Sequence, residues 1–94
     1  MDVYFFHHTG SKGGKRLGNT MRETFSTQYQ KHQPNRGFTG TVKARDLYVL
    51  AHTKPVGLFA ELGNIRNSFD QRRFLISTNR QALANWMCRG LILD

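Results

Sequence analysis

The sequence predicts an α/β fold in which a partial mixed or parallel sheet is flanked by helices, in the order β-α-β-β-α-α. Three observations predict it. Short aromatic and β-branched runs, beginning with Val3-Tyr4-Phe5-Phe6, read as strands. One long segment carries an apolar residue at every fourth position, as the buried stripe of a helix does. Two later segments open with Ser or Thr followed three residues on by Gln, the pattern of a capping box.

The first strand covers Val3 to Phe6 and is bounded, after His7-His8, by Thr9-Gly10-Ser11. Gly10-Ser11-Lys12-Gly13-Gly14-Lys15 lacks the spacing and the final Ser or Thr of a phosphate-binding loop, so it reads as a solvated turn. The first helix is expected from Lys15 to Gln30, with Leu17, Met21, Phe25 and Tyr29 on its apolar face. Lys31 to Thr41, rich in Gln, Pro, Asn and Gly, reads as a surface loop. Val42 to Leu50 is the second expected strand, most apolar at Leu47-Tyr48-Val49-Leu50. Thr53-Lys54-Pro55 breaks that run before the third, Val56 to Leu62.

Ser68 with Gln71 predicts the start of a short helix carrying Phe69, Arg72, Arg73, Phe74 and Leu75. Thr78 with Gln81 predicts the start of another, reaching about Leu91. Leu83, Trp86, Met87, Gly90 and Leu91 share its apolar face, and Cys88 is expected as a packed core thiol. Three strands with three helices leave sheet edges exposed, so further strands or a partner are expected to meet them.

A chain of 94 residues is one domain with a modest core, and it contains no internal repeat. Its 38% hydrophobic and 12% aromatic content exclude a disordered composition. No apolar run approaches the roughly 18 to 20 residues that span a bilayer, and no signal peptide opens the sequence. A single cysteine excludes an internal disulfide and a four-cysteine zinc site. With 14 Lys and Arg against 6 Asp and Glu, the chain favours an anionic partner. The positive residues are scattered along its whole length, so charge alone does not choose among nucleic acid, an acidic membrane surface and a carboxylate-bearing polymer.

Pro55-Val56-Gly57-Leu58-Phe59-Ala60-Glu61-Leu62-Gly63-Asn64 is the segment most suggestive of chemistry. Its apolar run reads as a strand buried on both faces, with Glu61 where that strand leaves the sheet. A buried carboxylate costs several kcal/mol unless paired, so Glu61 is expected to be partly solvated, partnered or raised in pKa. Each state suits a catalytic acid or base, while a glutamate that only caps a helix or pairs with an arginine is an equally common occupant. The four histidines show no His-x-x-x-His or His-x-Glu spacing, and adjacent His7 and His8 point to opposite faces on a strand.

Arg45-Asp46-Leu47-Tyr48-Val49-Leu50, then Thr53-Lys54-Pro55, the apolar strand, Glu61-Leu62-Gly63 and Asn67 to Asp70 follow one another in an order that resembles a known family. They resemble the carboxyl-terminal half of the zinc-dependent N-acetylmuramoyl-L-alanine amidases, the type 3 amidases of cell-wall hydrolysis. Lys15-Arg16-Leu17-Gly18-Asn19 is similar to a helix of that family, with Gly18 where alanine is usual, and Asn64 stands where phenylalanine is commoner.

The resemblance implies that residues 1–94 are the carboxyl-terminal part of one amidase-like catalytic domain. It further implies cleavage of the amide between N-acetylmuramic acid and L-alanine, with Glu61 as general acid and base. Arg45, heading its segment, is the candidate substrate-binding residue. Zinc is implied for the full-length family domain, held by two histidines and a glutamate, but no ligand carries over to His7 or His8. None is expected bound in this chain, which should then be inactive alone.

Peptidoglycan is the implied partner, with no nucleic acid expected and with pairing to the missing amino-terminal half. Periplasmic or extracellular localisation follows from the same resemblance. Two alternatives stand beside it. One is a non-catalytic basic module for cell wall or nucleic acid, with Tyr4, Phe5, Phe6, Phe38 and Tyr48 as stacking surfaces. The other is a degenerate relative that binds wall without cutting it.

Overall fold

A computed structural model of the chain describes residues 1–52, 54–63 and 76–94. In order they form β1 (Asp2–His7), α1 (Lys12–His32), β2 (Thr39–Ala44), α2 (Tyr48–Ala51), β3 (Phe59–Glu61) and α3 (Ser77–Leu93). The fold is mixed α/β. Its sheet has the order β2-β1-β3, with β1 parallel to β2 and antiparallel to β3.

The apolar period of α1 does what its spacing predicts, since Leu17, Met21, Phe25 and Tyr29 are all buried. The helix nevertheless begins earlier than expected. Ser11 is its N-cap, its hydroxyl accepting from the Gly14 N–H at 2.9 Å, so the glycine and lysine cluster is the first turn of a helix rather than a solvated turn. A side chain at Gly14 would meet the Cβ of His7 and the Oγ of Ser11, both at 2.9 Å. Glycine there lets the first turn lie against the end of β1.

Layering follows from one chain of aromatic contacts. Phe5 on β1 meets Phe25 on α1 edge to face at 5.4 Å, and Phe25 meets Trp86 on α3 in the same manner at 5.6 Å. Thus α1 lies between the sheet and α3. Val3, Phe5, Phe25, Leu83 and Trp86 form the centre of the core, and Val42, Leu58, Ala60 and Leu62 pack onto it from the flanking strands and their extensions.

Other expectations are corrected. The loop after α1 is shorter than predicted, because β2 already starts at Thr39. Tyr48-Val49-Leu50 is not a strand but lies in the one-turn helix α2, with Tyr48 and Val49 exposed. A short apolar run carries no period by which helix and strand can be told apart, and the ladder ends at Ala44. The third strand is confined to Phe59–Glu61 and is not buried on both faces: it is an edge strand with Phe59 and Glu61 exposed.

The last helix opens at Ser77 behind Ile76, which makes no side-chain cap bond, so Thr78 and Gln81 do not form the expected capping box. Leu83, Trp86 and Gly90 are buried on its inner face, whereas Leu91 is exposed and Cys88 is an exposed thiol rather than a packed one. The helix predicted from Ser68 lies outside the described residues. No described helix is long and apolar enough to cross a membrane.

Candidate functional site

Strand alternation divides β1 between two surfaces. Val3, Phe5 and His7 are buried on the side covered by α1, and Tyr4 and Phe6 therefore point to the other side. Directly paired residues share a face, so the register of β3 adds to that outer surface: Phe59 opposes Phe6, and Glu61 opposes Tyr4. Ala60, opposite Phe5, turns inward to the core.

Tyr4 and Phe6 stack with their rings 5.9 Å apart and nearly parallel, and Phe59 lies 6.4 Å from Phe6. These neighbours cover Phe6 almost completely, while Tyr4 and Phe59 each remain about two-fifths exposed. The three rings pack against one another on this surface.

Arg45 reaches the same face from β2. Its backbone N–H donates to the His7 carbonyl at 2.9 Å, which continues the β1–β2 pairing one residue past the strand. The guanidinium then lies 5.1 Å from the centre of the Phe6 ring, and Nη1 stands 3.9 Å from Glu61 Oε1. Two candidate site residues from separate segments are thus brought together. Glu61 is partly solvated, with 47% of its side chain exposed, and it is partnered.

Glu61 is the last residue of its strand, as the sequence predicts. Because β3 runs antiparallel, its carboxyl end lies beside Tyr4 rather than among the carboxyl ends of β1 and β2. Those two ends are tied to each other elsewhere, by the Thr9 hydroxyl donating to Asp46 Oδ1 at 2.7 Å.

Three of the four histidines engage local backbone. His7 is buried, and its Nδ1–H donates to the His8 carbonyl at 2.9 Å. His8 Nδ1 accepts from the Gly10 N–H at 3.3 Å. His52 Nδ1–H donates to the Tyr48 carbonyl at 2.9 Å, and its ring stacks on that of Tyr48. Among the described residues, no three His, Cys, Asp or Glu side chains are grouped to hold a metal ion. The amidase resemblance carries no zinc ligand over to His7 or His8, and the Nδ1 atoms of both are engaged with local backbone.

A half-exposed carboxylate beside a guanidinium can exchange a proton with water or orient a polar ligand, and the rings offer a flat apolar surface next to it. The outer clustering of Tyr4, Phe6 and Phe59 was hidden in the sequence by the apolar residues between them. The period-two alternation appears only once α1 is known to cover Val3 and Phe5. Comparison with protein-family models, curated proteins and solved structures finds no match to the chain.

Proposed function

We propose that these residues are the carboxyl-terminal part of a peptidoglycan hydrolase domain of the N-acetylmuramoyl-L-alanine amidase type, in which Glu61 is the general acid and base. The observation that carries this reading is the 3.9 Å approach of Arg45 to Glu61, because it joins two motif segments singled out separately in the sequence. Glu61 takes a proton from water as the water oxygen attacks the amide carbonyl carbon. It returns that proton to the L-alanine nitrogen as the C–N bond breaks, leaving a lactyl carboxylate and a free amine. Arg45 holds an anionic or carbonyl group of the substrate beside it.

The zinc ligands of such a domain would come from its amino-terminal half, and the substrate places it in the periplasm or outside the cell. In a domain containing both halves, Glu61→Gln is expected to lower hydrolysis of the muramoyl amide by roughly 100- to 10,000-fold with zinc content unchanged. Turnover equal to wild type would remove Glu61 from the mechanism.

The exposed ring surface favours a second reading, a non-catalytic module whose Tyr4 and Phe59 stack on single-stranded nucleic acid beside the exposed Lys43 and Arg45. Fluorescence anisotropy with an oligothymidine tests it. Salt-sensitive binding weakened by Tyr4→Ala supports the module, and absence of binding at low salt excludes it.

A further inference from the structure

Three segments meet at one end of the sheet. Since β1 and β2 are parallel and β3 runs against them, the carboxyl ends of β1 and β2 lie beside the amino end of β3. The first turn of α1, the one-turn helix α2 and the stretch leading into β3 are therefore gathered there. Two glycines let them pack closely. A side chain at Gly13 would meet Val56 Cγ2 at 2.9 Å, and one at Gly57 would meet Leu50 Cδ2 at 3.0 Å. Val56 thus rests on the first turn of α1, and Leu50 seats α2 against Gly57.

What this seating leaves outward is apolar. Tyr48 is 78% exposed, and Val49 and Val56 are each 56% exposed. The Tyr48 ring stacks on that of His52 at 4.0 Å, which holds it at the tip. Lys12 and Lys15 on the first turn of α1, and Lys54 just before Val56, are exposed at the same end. Helical side chains lean toward the amino terminus, so both α1 lysines extend toward the tip. Asp46, a carboxylate at this end, accepts from the Thr9 hydroxyl at 2.7 Å. The whole chain holds 14 Lys and Arg against 6 Asp and Glu, so its long-range field favours anions whichever local pairs form.

A protruding apolar tip with cations beside it fits one kind of surface. A protein partner would need a groove shaped to the protrusion, whereas a fluid bilayer closes around it. Tyrosine sits at the level of lipid headgroups, and lysines lay their stems along apolar surface while the ammonium groups reach the phosphates. We propose that this end of the molecule docks on an anionic phospholipid bilayer, with Tyr48, Val49 and Val56 entering the interface and Lys12, Lys15 and Lys54 meeting the headgroups. The surface shares no residue with the Arg45–Glu61 pair and stands independently of the role given to Glu61.

The test is cosedimentation of the full chain with vesicles of phosphatidylcholine alone or of equimolar phosphatidylcholine and phosphatidylglycerol. Binding to the acidic vesicles should be at least about tenfold stronger than to the neutral ones and should weaken with salt. Tyr48→Ser combined with Val56→Ser, and separately Lys12→Gln combined with Lys15→Gln, should each weaken it at least about tenfold. All four side chains are exposed, so thermal midpoints close to wild type are expected for both variants. Tyr4→Ala, on the ring surface, should leave vesicle binding unchanged. Equal binding to the two vesicles, no binding to either, or full binding retained by the Tyr48→Ser, Val56→Ser variant would overturn the proposal.

Discussion

Arg45 serves two neighbours at once: its guanidinium rests over the ring of Phe6 while Nη1 stands 3.9 Å from Glu61 Oε1. The ring fixes the stem and the plane of the cation, so the carboxylate meets a positioned partner rather than a freely rotating one. Both ends of the ion pair are about half exposed, however, and solvent screens their attraction.

Arg45→Met should therefore change folding stability by less than about 1 kcal/mol, measured by urea denaturation. In a complete amidase domain the same substitution should raise KM about tenfold with kcat largely retained, the signature of lost substrate binding. A fall in kcat as deep as that of Glu61→Gln would instead assign Arg45 to the proton-transfer step.

Ser11 supplies the side-chain acceptor for the first turn of α1, through its bond to the Gly14 N–H. Ser11→Ala should cost about 1 kcal/mol, and Ser11→Asp should recover most of it, since a carboxylate also caps and favours the helix amino terminus. Thermal midpoints of the two variants give the comparison, and an unchanged midpoint in Ser11→Ala would show that the cap is dispensable.

Phe25 joins all three layers and has no solvent exposure. Phe25→Ala should cost about 3 to 5 kcal/mol, a large share of the roughly 5 to 15 kcal/mol that holds a domain together. Loss of cooperative unfolding or a greatly lowered urea midpoint is the expected outcome. A loss below 1 kcal/mol would mean that the layers are held mainly by other contacts.

Asp94 ties the end of α3 back to α1. Its carboxylate accepts from Arg16 Nη2 at 3.2 Å and from the Thr20 hydroxyl at 3.0 Å, and the Arg16 hydrogen bond holds its pKa below the ordinary aspartate value of 3.8. A lowered folded-state pKa means that the unfolded chain takes up the proton first as the medium becomes acidic. The stabilisation is full above the ordinary aspartate range and is lost as pH falls through the folded-state value. The thermal midpoint of wild type should exceed that of Asp94→Asn at neutral pH, and the difference should close in acid. A difference independent of pH would exclude the ionised carboxylate as its source.

What was legible in the sequence depended on whether local pattern and tertiary contact agreed. Leu17, Met21, Phe25 and Tyr29 gave the buried face of α1 because every fourth residue meets the same two neighbours, sheet and α3. Leu47 to Leu50 were misread because four apolar residues fit helix and strand alike, and only the end of the β1–β2 ladder decides. Glu61 was correctly placed at a strand end. Its surroundings were not, since the direction and edge position of β3 arise from pairing with a strand far away in sequence. Cys88 was misplaced for a related reason: the inner face of α3 is narrow, centred on Leu83, Trp86 and Gly90, and the thiol falls beyond it.

The position of β1 between its two neighbours also bears on the time course of folding. Tyr4 needs Thr41 on one side and Glu61 on the other, so β1 must wait for partners far along the chain before either of its hydrogen-bonding edges is satisfied. Such sequence-distant closure slows the search for the native state relative to a helical bundle of equal length. While it waits, the nascent Val3-Tyr4-Phe5-Phe6 segment is an unpaired aromatic strand, the kind of intermediate on which a holding chaperone or premature self-association would act.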